Sequence, residues 1–355
     1  MARKVLMKGN EAIGEAAIRA GCVAFFGYPI TPQSELPEYL ARRMPEVGGV
    51  FLQAESELAA ISMVYGAAGA GARVMTSSSS PGISLKQEGI SMLAGADLPA
   101  VIVNMMRGGP GIGGIQPSQA DYYQATRGGG HGDYRTLVLA PWSIQELVDL
   151  TWEAFSLADR YRNPVLVLGD GMLGQMMEPV SLPDKPAPFI EKPWATNGAQ
   201  DREHNEVFTL YMGMEDLEKH IQRLSKKLAL IQKEQVRYDS FMLEDAEIVI
   251  VAFGIVARVA RKAIKIAREA GIKVGLLRPI SLWPFPSEAV AKAAKSARAF
   301  LVVEMNLGQM IEDVRLAIDN QIPVDFWGKS TIVPGPSEIL NAIKTTASKA
   351  GCGIS

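Results

Sequence analysis

Short, uninterrupted apolar runs set the strongest limit on how this 355-residue chain can fold. They lie at Cys22–Phe26, Gly49–Gln53, Ala72–Thr76, Ala100–Met105, Thr136–Ala140 and Pro164–Leu168. None alternates apolar with polar residues, so each must be covered on both faces, as strands of a parallel sheet are. Helical patterns separate them at Glu11–Ala20, Glu57–Ala70 and Ser143–Asp159, the last opening on a serine able to cap it. This alternation predicts a doubly wound α/β domain over residues 1–178.

The composition changes after Met177. Pro179, Pro183, Pro186, Pro188 and Pro193 read as an extended linker. Leu217, Ile221, Leu224, Leu228 and Ile231 then form a heptad seam. A helix lying on its own protein and a coiled coil with a partner both fit, and the shortness of the seam favours the first. Linker and charged helix take up residues 179–244. A second α/β unit, 245–355, carries strands at Glu247–Phe253, Lys273–Leu277, Phe300–Glu304 and Pro323–Phe326. Its helices are expected at Val256–Ala270, Ser287–Ala297, Gln309–Asn320 and Ser337–Lys349.

Composition excludes several classes of function. Lys plus Arg is 36 against 38 Asp plus Glu, a net charge of −2, which argues against nucleic-acid binding through bulk positive charge. Two cysteines, Cys22 and Cys352, cannot supply the four thiolates of an ordinary iron–sulfur cluster or an all-cysteine zinc site. They give no disulfide framework either, so a reducing cytoplasmic setting is expected. The longest apolar stretch, near Ile248 to Ala257, is shorter than the ~20 residues of a membrane span. The sequence has no Walker P-loop, HExxH or CxxC.

Ligands of open α/β sheets sit beyond the carboxyl ends of the strands, so the segments after the strands are where chemistry is sought. After Phe26 comes Gly27-Tyr28-Pro29-Ile30-Thr31-Pro32, in which two prolines stiffen the backbone around Thr31. Thr31 suits a helix N-cap, a ligand contact, or both. After Phe51, Gln53-Ala54-Glu55-Ser56-Glu57 places a carboxylate where a strand gives way to a helix. Ser56 as cap with Glu57 complementing the helix dipole is one reading, and a buried carboxylate aimed at a ligand nitrogen is the other. Thr76-Ser77-Ser78-Ser79-Ser80-Pro81-Gly82 is either a polar pocket wall or a solvated loop. Arg107-Gly108-Gly109 sets a guanidinium beside a loop poor in side chains, which suits a carboxylate substrate. Gly109, Gly111 and Gly114 match GxGxxG, but Pro110 and Pro117 spoil the strand-to-helix turn a dinucleotide needs. His131 fits an acid–base role or a backbone-bonded loop position equally. Gly169-Asp170-Gly171 with Asn197 imitates a magnesium–diphosphate motif, but a proline-rich linker fills the interval where a helix and strand belong.

Taken together, Tyr28-Pro-Ile-Thr-Pro32, Glu55-Ser-Glu57, Thr76-Ser-Ser-Ser-Ser-Pro-Gly82 and Arg107-Gly-Gly resemble the α subunit of 2-oxoacid:ferredoxin oxidoreductases. The closer likeness is to the 2-oxoisovalerate (branched-chain) and 2-oxoglutarate subgroup. Glu304-Met-Asn306-Leu-Gly308-Gln309 is similar to the family pattern too. The resemblance implies a pyrimidine-binding domain of a thiamine diphosphate enzyme followed by a transketolase C-terminal-like domain. It implies catalysis by Glu57, Thr31 and Arg107. Cofactor contacts are implied for Glu57, Tyr28, Pro29, Ile30, Ser78, Ser79 and Ser80, and substrate contacts for Thr31, Arg107 and Gly108, with no metal ligand on this chain. It further implies thiamine diphosphate shared with a β subunit that carries the diphosphate, Mg2+ and an iron–sulfur cluster. Smaller γ and ferredoxin-like δ subunits, ferredoxin as electron acceptor and coenzyme A as co-substrate complete the expected system. A branched 2-oxo acid is the expected substrate, with 2-oxoglutarate or pyruvate as alternatives. A single-chain thiamine enzyme and a non-catalytic assembly subunit are the competing readings.

Overall fold

The computed structural model describes residues 4–352. Its first unit runs β1 (Val5–Lys8), α1 (Gly9–Arg19), β2 (Ala24–Gly27), α2 (Glu35–Glu46), β3 (Val50–Gln53), α3 (Glu57–Gly69), β4 (Val74–Ser78) and α4 (Ser80–Gly95). It continues with β5 (Val101–Met106), α5 (Tyr122–Arg127), β6 (Leu137–Leu139), α6 (Ile144–Tyr161), β7 (Val165–Asp170), α7 (Gly171–Gln175) and β8 (Met177–Val180). An irregular stretch leads to α8 (Met214–Glu234). The second unit holds β9 (Tyr238–Phe241), β10 (Ile248–Val251), α9 (Gly254–Glu269), β11 (Val274–Pro279), β12 (Ser281–Trp283), α10 (Ser287–Ala294), β13 (Ala299–Glu304), α11 (Met310–Ala317), β14 (Val324–Gly328) and α12 (Pro336–Lys349).

The large sheet is ordered β12-β6-β7-β5-β4-β2-β3 and is parallel except for β12. Its central strands β5 and β7 are buried at every position, which is why they read as continuous apolar runs. The chain leaves β2 toward β3 on one side and resumes at β4 on the other. Successive connections therefore diverge between β2 and β4, and a crevice opens at the carboxyl ends of those strands. The smaller sheet, β14-β13-β10-β11-β9, is parallel apart from edge strand β9.

Several elements depart from the sequence reading. Residues 238–241, assigned there to the linker and charged helix, form β9 and pair with β11 of the second unit. Residues 281–283 cross back as β12 and pair with β6 of the first sheet. β8 spans the 178/179 division and pairs with β1. Helices α2 and α4, absent from that reading, are both present; Pro37 and Pro45 lie within α2, and Pro81 occupies the first turn of α4. The proline-rich stretch is pinned by Arg73, which donates to the Ala187 and Pro188 carbonyls and pairs with buried Asp159. Helix α8 lies on its own chain: Leu224 and Ile231 are buried, and Asp97 receives Arg223 and Lys227 at 2.5 Å each. No helix among the described residues is long and apolar enough to cross a membrane.

The two units are joined through the segment after the glycine loop. Gln119 is fully buried; its amide donates to the Phe253 carbonyl (2.9 Å) and accepts from the Met305 amide (3.1 Å). Asn306 donates to the Gln119 carbonyl, and Gln309 to that of Ala120. Glu304 caps α11 by accepting from the Met310 and Ile311 amides. The Glu304–Gln309 motif thus acts here as a clasp between the units. Gln119→Leu orphans the buried Met305 amide and takes one of its two donors from the Phe253 carbonyl, so a loss of about 2 kcal/mol is expected. Urea denaturation of the full chain measures it.

Candidate active site

Four strand ends converge on the crevice between β2 and β4. The turn after β2 is held by side-chain amides: Asn10 and Gln175 both donate to the Pro32 carbonyl, at 2.9 and 3.0 Å. Tyr28, Pro29 and Thr31 are exposed there and Ile30 is half-buried. Thr31 is not a helix cap, because α2 starts only at Glu35 with Ser34 before it. The Thr31 carbonyl instead accepts from Arg107 Nη1 at 3.0 Å.

Glu57 is the first residue of α3. Ser56 caps that helix by accepting from the Ala59 amide at 3.1 Å, as its position suggested. Glu57 is buried while Glu55 is exposed. Its carboxylate lies against α4 at Gly82. A Cβ added to Gly82 would stand 2.6 Å from Glu57 Oε1 and 2.0 Å from Ser78 Oγ, so the cradle exists only because residue 82 has no side chain. Further along, a Cβ at Gly89 would meet Ile61 of α3 at 2.6 Å. The glycines therefore let two helix backbones approach more closely than any other residue type permits.

The serines divide in two. Ser78 and Ser79 are fully buried, and their hydroxyls have no hydrogen-bond partner among the described residues. Ser80 is committed within the chain: its hydroxyl bonds Asp121 at 2.6 Å and the Arg107 carbonyl, and accepts from the Arg107 amide. Asn104 completes this network by accepting from the Ser80 amide and donating to Asp121. Burial pushes the Asp121 carboxyl up, against the pull of those two donors. Neither a solvated loop nor four equivalent pocket hydroxyls describes the segment. Gln33 is a further candidate. It is fully buried, accepts from the Ser77 hydroxyl at 2.6 Å, and its Nε2 has no partner among the described residues.

Arg107 is buried and fixed in place. Its Nη atoms donate to the Thr31 and Ile112 carbonyls, at 3.0 and 2.9 Å, tying the Thr31 turn to the glycine loop, while Nε has no partner among the described residues. Gly108 anchors that loop by donating to the Gln116 carbonyl. His131 is exposed on the other glycine loop. Arg127 is paired with Asp313 through both Nη atoms, so it is not a spare cation in the crevice, and Arg42 is exposed on α2 with its guanidinium over Tyr39. Burial pushes the Cys22 thiol up to about 12, which makes it inert.

Asp170 and Asn197 are engaged separately. Asp170 caps α7, accepting from the Met172 and Leu173 amides, whereas Asn197 is exposed and accepts from Arg202. Sequence reasoning missed Gln33, Asn104, Asp121 and Lys86. Lys86 alone left a local signal, a charged residue at a core position of a helix between Ile83 and Ile90. It is fully buried, with Nζ 3.4 Å from the Glu57 carbonyl.

Two outcomes follow from this packing. Gly82→Ala is expected to cost about 2 kcal/mol by overpacking. Gly66→Ala, in open space within α3, is expected to gain about 0.5 kcal/mol; urea midpoints compare the two. Burial also pushes the Asp170 carboxyl up from 3.8 to about 6. The folded chain then holds that proton more tightly than the unfolded chain, so this contribution to stability is whole below about pH 4 and is lost as pH rises through about 6. Asp170→Asn, still able to accept from the α7 amides, should remove that slope from a plot of melting temperature against pH.

Residues 15–229 match the family model described as pyruvate flavodoxin/ferredoxin oxidoreductase, thiamine-diphosphate-binding, and residues 246–331 match pyruvate:ferredoxin oxidoreductase core domain II. The chain is 54% identical over 313 residues to the ketoisovalerate oxidoreductase subunit VorB of Methanothermobacter marburgensis, a match covering 88% of this chain and 89% of that one. It is 42% identical over 340 residues to the 2-oxoglutarate synthase subunit KorA of Archaeoglobus fulgidus, covering 93% and 96%. Among solved structures it is similar to the 2-oxoglutarate:ferredoxin oxidoreductase from Magnetococcus marinus with 2-oxoglutarate, coenzyme A and succinyl-CoA bound. That likeness has a TM-score of 0.86 and 27% identity, and spans 97% of this chain but 65% of the other. A split-gene transketolase shares the fold at a TM-score of 0.61 and 16% identity. With a thiamine-diphosphate-binding model over most of its length and relatives that are oxidoreductase subunits, the chain belongs to the 2-oxoacid:ferredoxin oxidoreductase family.

Proposed function

We propose that this chain is the catalytic α-type subunit of a heteromeric 2-oxoacid:ferredoxin oxidoreductase that converts a branched-chain 2-oxo acid, with coenzyme A, to acyl-CoA and CO2. The observation that carries the proposal is the Glu57 carboxylate, buried at the switch point against a glycine and beside two unspent serine hydroxyls. These residues fit the aminopyrimidine end of thiamine diphosphate: a carboxylate for a ring nitrogen, and hydroxyls that burial leaves in want of a partner. The described residues offer no matching cluster for a metal, since Asp170 is spent on a helix cap. In this reading the diphosphate and Mg2+ are assigned to a β subunit across the crevice.

When bound, thiamine diphosphate supplies an electron sink for the carbon that loses CO2. Glu57 holds a proton between its carboxylate and the pyrimidine ring, in surroundings where that hydrogen bond is stronger than in water. Arg107 and the Thr31 hydroxyl orient the carboxylate head of the 2-oxo acid. Tyr28, Pro29 and Ile30 form the wall that a partner must cover to keep water out. In this reading iron–sulfur clusters on the β subunit and on a ferredoxin-like δ subunit would carry the electrons to ferredoxin, and a γ subunit would complete a cytoplasmic complex. The higher identity to a ketoisovalerate oxidoreductase subunit favours a branched aliphatic substrate. The engagement of Arg127 by Asp313 favours it too, because a second substrate carboxylate needs a free cation.

In the assembled complex, Glu57→Gln is expected to lower 2-oxoacid-dependent dye or ferredoxin reduction at least about 100-fold without dissociating the subunits. 3-Methyl-2-oxobutanoate should be turned over faster than 2-oxoglutarate. Near-wild-type turnover by the variant, with assembly checked by gel filtration, would refute the role of Glu57.

A further inference from the structure

Helix α4 presents Gly82, Lys86 and Gly89 to α3 at spacings of four and three, which put all three on one face. The two glycines are explained by close approach, Gly82 to the Glu57 carboxylate and Gly89 to Ile61. Lys86 is not explained by packing. It is fully buried among positions that read as apolar, with Ile83 and Ile90 buried on the same helix, and its one hydrogen bond is a long one, 3.4 Å to the Glu57 carbonyl. A methionine would fill the same slot without the cost of burying an ammonium. A polar group held at the expense of stability against the backbone of the residue that bears the candidate carboxylate is a functional device more often than a packing accident.

We propose that Lys86 is a positioning residue for Glu57, fixing the first turn of α3 through its carbonyl and supplying a buried positive charge behind the carboxylate. The two groups act on each other electrostatically: burial pushes the Lys86 amine down to about 8, and the Glu57 charge opposes that shift. The flanking acidic residue of α4, Glu88, is exposed, so Glu57 is the anion that α3 brings to it. Held this way, the carboxylate stays between Gly82 and Ser78, where it can meet a ring nitrogen. Without the charge, a carboxylate this buried is drawn toward any other donor in the crevice, including the free hydroxyls of Ser78 and Ser79.

The inference rests on the reading of Glu57 given above, and the test separates the two. Lys86→Met is made in the full chain and in the assembled complex, and thiamine diphosphate binding is titrated in the cofactor-stripped complex. The full chain should melt several degrees higher than wild type at pH 7. The complex should bind thiamine diphosphate about tenfold more weakly and lose about tenfold in kcat, with KM for the 2-oxo acid within twofold of wild type. A purely structural lysine predicts the opposite pairing, in which binding and kcat stay unchanged. Lys86→Gln keeps a donor for the carbonyl but no charge, and decides the matter if the methionine variant does not fold. Wild-type cofactor affinity and kcat in either folded variant overturn the proposal. Glu57→Gln, assayed alongside, must abolish turnover; if it does and the Lys86 variants behave as wild type, only the Lys86 assignment falls.

Discussion

The close contact of α3 with α4 is the constraint on which the crevice depends. At Gly82 the space a Cβ would occupy is filled by Glu57 Oε1 and Ser78 Oγ, and at Gly89 it is filled by Ile61. The carboxylate is thereby shut away from water by a helix backbone instead of a side chain. A backbone wall cannot rotate aside, so the polar group is held without an ordering cost when a ligand arrives. Helix α4 starts one residue after β4 and α3 a short turn after β3, so the position of Ser78 and Gly82 is inherited from β4 and that of Glu57 from β3 through residues 54–56. Rigidity at the site comes from the sheet and not from the loops around it.

The second unit supports the site from a distance. Gln119, Ser118 and Ala120 lie between the glycine loop and α5, and all three are bonded to the 305–309 segment. The same stretch leads into Asp121, which with Asn104 secures Ser80 at the start of α4. A continuous set of hydrogen bonds therefore runs from the cap of α11 to the first turn of the helix that walls in Glu57. Tyr122 and Arg127 extend it by bonding Asp313. The clasp makes the two units behave as one support.

What could be read from the sequence follows from how local each cause is. The central parallel strands announced themselves because burial on both faces turns them into apolar runs, and Val101–Met106 is a plain instance; the edge strand β3 reads the same way in sequence although it is largely exposed and not covered on both faces. Strands of three or four residues, β1, β8 and β12, carry too few positions to show a pattern, and their pairing partners lie far along the chain. Prolines concealed α2, and a Ser- and Gly-rich start concealed α4. Local sequence left Glu57 open between helix start and ligand carboxylate, and only the resemblance to the oxidoreductase family singled it out. Ser80 was not separable from Ser78 and Ser79, since what distinguishes it is a network with Asn104 and Asp121, 24 and 41 residues away. Arg107 was visible as a cation, but nothing local revealed that two backbone carbonyls hold it.

Several polar groups at the crevice are buried without a partner among the described residues. Elsewhere, buried charges are paired closely: Arg73 with Asp159, and Arg278 with Glu146 while lying over Trp142. At the crevice, Ser78, Ser79, Gln33 Nε2 and Arg107 Nε are buried without partners among the described residues. Each unmet donor or acceptor costs about 1–3 kcal/mol while it stays unmet. A chain able to satisfy Arg73 with an anion and three carbonyls does not lack the means to satisfy a serine. Unmet atoms also occur away from the crevice, among them Thr151 Oγ1, Asn163 Oδ1 and Arg278 Nε, so the crevice set is told apart by its place at the carboxyl ends of the strands, where a polar ligand would reach it.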